Sequence, residues 1–204
     1  MSIGEIIIIF EVLIIGYIIG SIPTGYIVVK LFKGIDIRTV GSGSTGATNV
    51  KRVMGTKWFF IVLLLDALKG AIAVWIALRC FDMMQFEGLS PVMSALAVII
   101  GHSKSMFLRF TGGKSVATAV GTLIALCPIV GAISAVIWGV ITYTSKYVSL
   151  GSICAVAITP ILMNVFDQNE YYIWYATIGA IFVIIRHKDN LKRLMSGKEN
   201  KVRK

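Results

Sequence analysis

Seven apolar segments, at about residues 6–32, 57–80, 89–103, 116–127, 129–145, 149–165 and 171–186, leave this chain few ways to fold. A bilayer core about 30 Å thick is crossed by about 20 apolar residues in a helix, the form that satisfies every backbone amide within its own segment. The expected class is therefore an all-α integral membrane protein with seven transmembrane helices, built as one membrane-embedded domain over 1–204 with a polar, basic tail from about 188 to 204. Composition agrees: 56% of the 204 residues are apolar and the mean hydropathy is +0.83, too greasy for a soluble surface. No cation precedes the first run, and it continues well past the roughly 7–15 apolar residues of a signal peptide, so it is expected to stay as a span. The fourth segment rises only about 18 Å, so the loop before it is expected to start inside the membrane. Pro128 marks the turn between the fourth and fifth segments, and Pro160 is expected to kink the sixth.

The charges orient these spans. Of the 20 cations, all but Lys69 and Arg79 fall in the connections after segments one, three, five and seven, which share one side of a seven-span protein. Glu5, Asp82, Glu87, Asp167 and Glu170 fall on the other. The positive-inside rule places the N-terminus outside and the C-terminus in the cytoplasm. The net charge of +10 is thus a topology signal that also attracts anionic lipid heads, and no nucleic-acid partner is expected, because no aromatics interleave the cations. Cys80, Cys127 and Cys154, an odd number without a CxxC pair, are read as small packing residues rather than disulfide or metal ligands.

One cytoplasmic connection, GSGSTGATNVKR at 41–52, interrupts the apolar chain with glycines, hydroxyls and two adjacent cations. Gly41, Gly43 and Gly46 match the spacing of a dinucleotide-binding GxGxxG, but the acid 20 residues on, Asp66, lies in the middle of a span rather than on a second strand. Gly113, Lys114 and Ser115 resemble the end of a P-loop, yet Leu108 stands where its first glycine is required. What survives is the physics under both motifs: glycines let consecutive N–H groups approach an anion, and an adjacent Lys or Arg supplies charge. The device occurs twice on one side, here and in FTGGKSVAT at 110–118, pointing to two phosphate-bearing ligands. Isolated Gly16, Gly20 and Gly25 are read instead as close-packing residues.

A third polar cluster lies where the last span ends, in IIRHKDNLKRL. If the helix continues, His187 and Asn190 share a face at i and i+3, and Arg186 and Lys188 diverge from it. A histidine beside an amide donor can orient a substrate hydroxyl or accept its proton. Within the second span, Asp66 and Lys69 at i and i+3 are expected to form a neutralising ion pair that braces the site.

GSGSTGATNVKRVMG, GH at 101–102 with FLRFTGGKSVAT, KYVSLGS at 146–152 and RHKDNLKRLMSGKE at 186–199, together with GSIPTG at 20–25 and DALKG at 66–70, resemble in order and spacing the integral-membrane bacterial glycerol-3-phosphate acyltransferases that use acyl phosphate. The resemblance covers essentially the whole chain. It implies seven spans around a site open to the cytoplasm of a bacterial inner membrane. It also implies transfer of an acyl group from acyl phosphate to the 1-hydroxyl of sn-glycerol 3-phosphate, giving lysophosphatidic acid and inorganic phosphate. Carried onto this chain, it makes Ser42 and Arg52 the essential first-loop pair, Gly112, Gly113 and Lys114 the acyl-phosphate loop, and His187 and Asn190 the third-cluster pair. Gly41, Gly43, Thr48, Asn49, Thr118 and Ser149 are the accompanying candidate substrate-binding residues. Ser105, Thr111 and Ser115 stand where the family usually has a proline, a basic residue and a third glycine, departures that bear on donor affinity rather than reaction type. Neither His102 nor His187 is followed by the acid of the HxxxxD pair used by other acyltransferases.

The implied chemistry suits these residues. An acyl phosphate is already activated, so no metal, coenzyme A or covalent intermediate is expected; the site must hold two mutually repelling anions and align a hydroxyl with a carbonyl. Two other classes remain at this level. A small transporter of organic phosphates also uses glycine loops at broken helices, but carries internal repeats, of which this chain has only a weak echo of GSIPTG in GSGSTG. A non-catalytic lipid-binding protein explains the basic loops but not two glycine cradles. A monomer is the default expectation.

Overall fold

The computed structural model describes residues 2–80 and 88–202. Asp82, Glu87, Arg203 and Lys204, used in the charge argument, and the Cys80 side chain lie outside the described residues. Among those described, the elements are helices α1 (Ile3–Ser21), α2 (Thr24–Lys33), α3 (Ala47–Met54), α4 (Thr56–Cys80), α5 (Leu89–Ser103), α6 (Val116–Leu126), α7 (Pro128–Ser145), α8 (Val148–Ala157), α9 (Thr159–Val165), α10 (Glu170–Arg186) and α11 (Lys188–Met195), plus short 3-10 turns at Ile37–Thr39 and Met106–Leu108.

Every apolar segment of the sequence is helical, but two are split. The first breaks between α1 and α2 at Ile22–Pro23, because proline lacks an N–H and its ring collides with the preceding turn. The sixth divides at Ile158, two residues before Pro160. α7 begins on Pro128, where a missing N–H costs nothing, and ends at Lys146 in the left-handed conformation. Four helical stretches, Ile3–Lys33, Thr56–Arg79, Pro128–Ser145 and Val148–Val165, are long and apolar enough to cross a membrane, and Leu89–Ser103 and Val116–Leu126 are shorter apolar helices. Phe10, Leu64, Trp75, Val136 and Ile181 are exposed on the outer surface, as lipid-facing side chains are. The protein is an all-helical, multi-pass membrane protein.

α4, α5, α6 and α10 share the main core, which buries Val74, Ala95, Val98, Ile99, Leu123 and Tyr175. α1 lies on α5 so closely that a Cβ on Gly20 would overlap the Val98 backbone, consistent with the packing role read for that glycine. The described cysteines, Cys127 and Cys154, are free and at least partly buried.

The break at Pro23 has a partner in α4. Lys69 Nζ donates to the Ile22 carbonyl at 2.8 Å and lies 3.0 Å from Asp66 Oδ1, which accepts a 2.5 Å hydrogen bond from Thr24 Oγ1. The expected ion pair therefore exists, and it ties α4 to the α1–α2 junction. His102 Nδ1 stands 3.3 Å from the same oxygen without reaching hydrogen-bonding geometry.

The four basic connections meet one another. Arg38 Nη1 reaches Leu108 O at 3.5 Å, Lys114 bonds to Asn190, and Val202 N–H donates to Lys146 O at 2.8 Å. The basic connections are thus gathered at one end of the bundle.

Candidate active site

The first loop is shaped by glycine conformation and one asparagine. Gly41 and Gly43 take φ of 61° and 68°, a region L side chains avoid. Asn49, 1% exposed, sits beneath them: its Oδ1 accepts from Ser42 N–H at 2.9 Å, and its Nδ2 donates to Ser44 O at 2.9 Å, Val40 O at 3.0 Å and Ile37 O at 3.3 Å. Asn49 was expected to touch substrate. Its amide is engaged by the loop itself, which gives Asn49 a framework role. Ser42 is exposed at the loop tip, Thr48 is half-buried in the first turn of α3, and Arg52 projects exposed from its last turn. Behind them, Arg38 grips Asp36 with Nη2 at 2.6 Å, and this hydrogen bond holds the carboxyl below its usual range.

The second loop, between α5 and α6, works differently. Ser105 N–H donates to Thr111 O at 3.3 Å and Phe110 N–H to Ser105 O at 2.8 Å, closing a small hairpin. Left-handed backbone falls on non-glycine residues, Arg109, Phe110 and Ser115, at 54°, 60° and 63°. Gly112 and Gly113 serve close approach: a Cβ on the first would overlap the His102 carbonyl, and on the second the His102 imidazole. Gly113 N–H donates to His102 O at 3.1 Å, and Gly113 O accepts from Ser103 Oγ at 2.9 Å.

The three departures from the family pattern each gain a bond. Ser105 Oγ donates to Ser21 O at 2.5 Å, Thr111 Oγ1 to Leu108 O at 2.6 Å and Ser115 Oγ to Ile99 O at 2.6 Å. The left-handed φ of Ser115 is the physical reason a glycine suits that position, and its hydroxyl bond to α5 offsets the strain. Thr118, in the first turn of α6, is fully buried with an unpaired Oγ1.

The third cluster departs from the expected continuous helix. α10 ends at Arg186, the chain turns at His187 with φ −100° and ψ 8°, and α11 starts afresh. The turn still buries His187 and Asn190, to 3% and 7% exposure. It also carries Arg186, expected to diverge, to 3.4 Å from Gly113 O. Lys114 Nζ donates to Asn190 Oδ1, Asn190 Nδ2 to Glu199 Oε1 at 2.7 Å, Ser149 Oγ to the same oxygen at 3.0 Å, and Arg193 Nε to Glu199 Oε2 at 2.7 Å. Ser149 is therefore occupied by Glu199. The segment read as a polar basic tail folds back and contributes to the site. Glu199 was missed as a site residue; its signal was being the sole acid after Asp189 in a run of cations.

Electrostatics join the three parts. Burial lowers Lys114 to about 8; Glu199 resists the shift, and Arg193, Arg52 and Arg186 add to it. The charge of Arg52 bears on Lys114, so the first-loop helix lies within electrostatic range of the second loop. Burial likewise pushes His187 down to about 4, against the pull of its bond to the Val183 carbonyl. Its Nδ1 lies 2.8 Å from that carbonyl oxygen, which has only lone pairs to offer, so Nδ1 carries the hydrogen and Nε2 is an acceptor. Burial opposes the Glu199 charge, but hydrogen bonds from Asn190, Arg193 and Ser149 outweigh it and hold the carboxyl below its usual range.

Comparison with known proteins identifies the family. A family model described as glycerol-3-phosphate acyltransferase matches residues 10–197. Proteins named glycerol-3-phosphate acyltransferase are similar to the chain in Trichormus variabilis, at 43% identity over 94% of this chain and 90% of theirs, and in Fusobacterium nucleatum, at 41% over 94% and 97%. Crystal structures of PlsY, an integral membrane glycerol 3-phosphate acyltransferase, superpose on the fold. The glycerol 3-phosphate form has a TM-score of 0.89 at 36% identity, covering 96% of both chains, and the lysophosphatidic acid form 0.87 at 35%, covering 96% and 95%. With the family model, the curated relatives and the fold in agreement along nearly its whole length, the chain belongs to the glycerol-3-phosphate acyltransferase family.

Proposed function

We propose that this membrane acyltransferase moves an acyl group from a long-chain acyl phosphate to the 1-hydroxyl of sn-glycerol 3-phosphate, releasing lysophosphatidic acid and inorganic phosphate, the first acylation of bacterial phospholipid synthesis. The observation that carries this reading is Lys114 on Asn190 and Arg186 on the Gly113 carbonyl, with Arg52 in electrostatic range, beside Glu199, a carboxylate already engaged by Arg193. Such a surplus of cations suits two phosphate-bearing substrates. A transporter of organic phosphates is not favoured.

Arg52 and the exposed Ser42 tip hold glycerol 3-phosphate; Lys114, carried by the Gly112 and Gly113 backbone, holds the acyl phosphate group. The hydroxyl oxygen attacks the acyl carbonyl carbon, and the bond from that carbon to the phosphate oxygen breaks, the phosphate leaving with the electron pair. Cations and backbone donors stabilise charge developing on the carbonyl oxygen and the leaving phosphate. His187 Nε2 accepts the hydroxyl hydrogen bond and fixes its direction. At about 4 His187 is a weak base near neutral pH, and a phosphate oxygen, with a second pKa of about 6, takes the proton more readily.

Seven helical segments cross a bacterial inner membrane, with the N-terminus outside and the site at the cytoplasmic face, so the acyl tail stays in the bilayer while both phosphates stay wet. The donor is already activated, so neither metal nor coenzyme A is required, and the protein acts as a monomer.

The test is phosphate release by purified protein given acyl phosphate and glycerol 3-phosphate, beside acyl-coenzyme A and the Arg52→Ala variant. Release that needs both substrates, forms lysophosphatidic acid and disappears in the variant supports the reading. Turnover of acyl-coenzyme A alone overturns the donor, and a folded protein without turnover overturns the reaction. In His187→Gln, a slower reaction with an unchanged pH profile is expected; a lost pH limb makes His187 the base.

A further inference from the structure

We infer that Arg186 is a further catalytic residue, one that grips the phosphate of the acyl donor; the inference rests on the acyl-phosphate reading above. Arg186 closes α10, where a cation gains a modest interaction with the helix dipole. That benefit explains a charge at this position but not how the guanidinium is held. Its Nη2 makes a long hydrogen bond of 3.4 Å to Gly113 O, and its Nε is buried with no hydrogen-bond partner. Among the described residues no carboxylate pairs with it, whereas Arg193 has Glu199 at 2.7 Å and Arg38 has Asp36 at 2.6 Å. A buried donor of a charged group left unmade is costly, so such groups are normally completed by an anion.

The place where an anion completes it is set by Gly113. The carbonyl of Gly113 already receives Ser103 Oγ at 2.9 Å, and its N–H is fixed on His102 O, so the loop holds Arg186 at one edge and presents Lys114 next along the chain. Arg186 also lies close enough to disfavour the charge of both Lys114 and His187. A phosphate seated between Lys114 and Arg186 relieves that repulsion and accepts the unpaired Nε–H. The planar fork of arginine suits two oxygens of one phosphate, while the Lys114 ammonium acts as a point charge. When the carbonyl carbon to phosphate oxygen bond breaks, the electron pair moves onto that phosphate, and Arg186 stabilises it as it leaves.

Steady-state kinetics with acyl phosphate and glycerol 3-phosphate separate this role from simple helix capping. Arg186→Gln is expected to raise the KM for acyl phosphate, and the inhibition constant of inorganic phosphate against it, by roughly tenfold or more, with the KM for glycerol 3-phosphate within about twofold. Arg186→Lys keeps the helix-end charge but loses the fork, so it too is expected to bind the donor worse than the parent. Added guanidinium should partly restore the Arg186→Ala variant. Parallel rises in both KM values, a parent-like donor KM in Arg186→Lys, or loss of thermal stability without a donor effect overturns the assignment. A parent enzyme that turns over acyl-coenzyme A but not acyl phosphate overturns the donor reading and the ligand named here together, an outcome distinct from failure of the Arg186 variants alone.

Discussion

The two glycine loops look alike in sequence and are built on opposite principles. In the first, glycines supply the backbone angles: Gly41 and Gly43 are left-handed, and the buried Asn49 amide ties Ser42, Ser44, Val40 and Ile37 around them. In the second, the left-handed angles fall on Arg109, Phe110 and Ser115, and glycines supply clearance, letting residues 112 and 113 lie directly on His102. The first loop is tied mainly by its own asparagine, with Thr45 O pressed against Gly25 of α2, and it leaves its tip and Arg52 exposed. The second is a strand of backbone pressed into the helix bundle, its position dictated by α1, α5 and α10. A motif that reads as an anion cradle therefore says that backbone must come close to something, not whether the closeness is to a ligand or to the protein itself.

The largest expected effect breaks the second loop. Gly113→Ala places a Cβ against the His102 ring and displaces the loop; a shift of about 1 Å is worth on the order of 100-fold in rate. Steady-state kinetics should show that loss in kcat/KM for acyl phosphate, together with a melting temperature lowered by the overlap. Parent-like donor kinetics would show that the close approach is not functional.

Next is the framework of the first loop. Asn49→Ala removes one acceptor and two donors from a buried site and is expected to cost about 2–3 kcal/mol of stability. Thermal denaturation in detergent reads this, and the KM for glycerol 3-phosphate should suffer more than that for acyl phosphate. An unchanged melting temperature with a specific loss of acceptor binding would return Asn49 to the substrate-contact role.

The smallest effect is a pH limb that distinguishes Lys114 from Arg52. Lys114 is charged below about 8 and loses its charge as pH rises through that value. The kcat/KM for acyl phosphate should therefore fall about tenfold per pH unit on the alkaline side. Lys114→Arg should move that limb to higher pH even if the rate is lower, since a guanidinium stays protonated throughout the range. A limb that stays near 8 in this variant assigns it to another group.

Much of the molecule was legible before any coordinates. The apolar segments located the helices because lipid allows a backbone few alternatives, and Pro128 and Pro160 marked a helix start and a break, whereas the break at Pro23 inside the first segment was not read. The Asp66–Lys69 pair followed from helical spacing within one span. The roles of side chains across loops were less legible. Asn49 was assigned to substrate because close packing does not call for an amide at that position, whereas the folded loop engages that amide with its own backbone. Arg186 was set aside because an unbroken helix carries it away from His187, and a turn at one residue reverses that conclusion.

By itself the sequence determined that this is a helical membrane protein with its cations gathered in alternate connections and two glycine-rich loops among them, since bilayer thickness and the cost of unpaired amides act locally along the chain. Only the tertiary structure decided which polar groups meet. Glu199 lies 50 residues from Ser149, and Lys114 76 residues from Asn190. Such contacts depend on how helices cross and where α10 ends, and on the tail returning to Lys146. No periodicity in the chain encodes those distances, because they are fixed by packing between segments rather than within them.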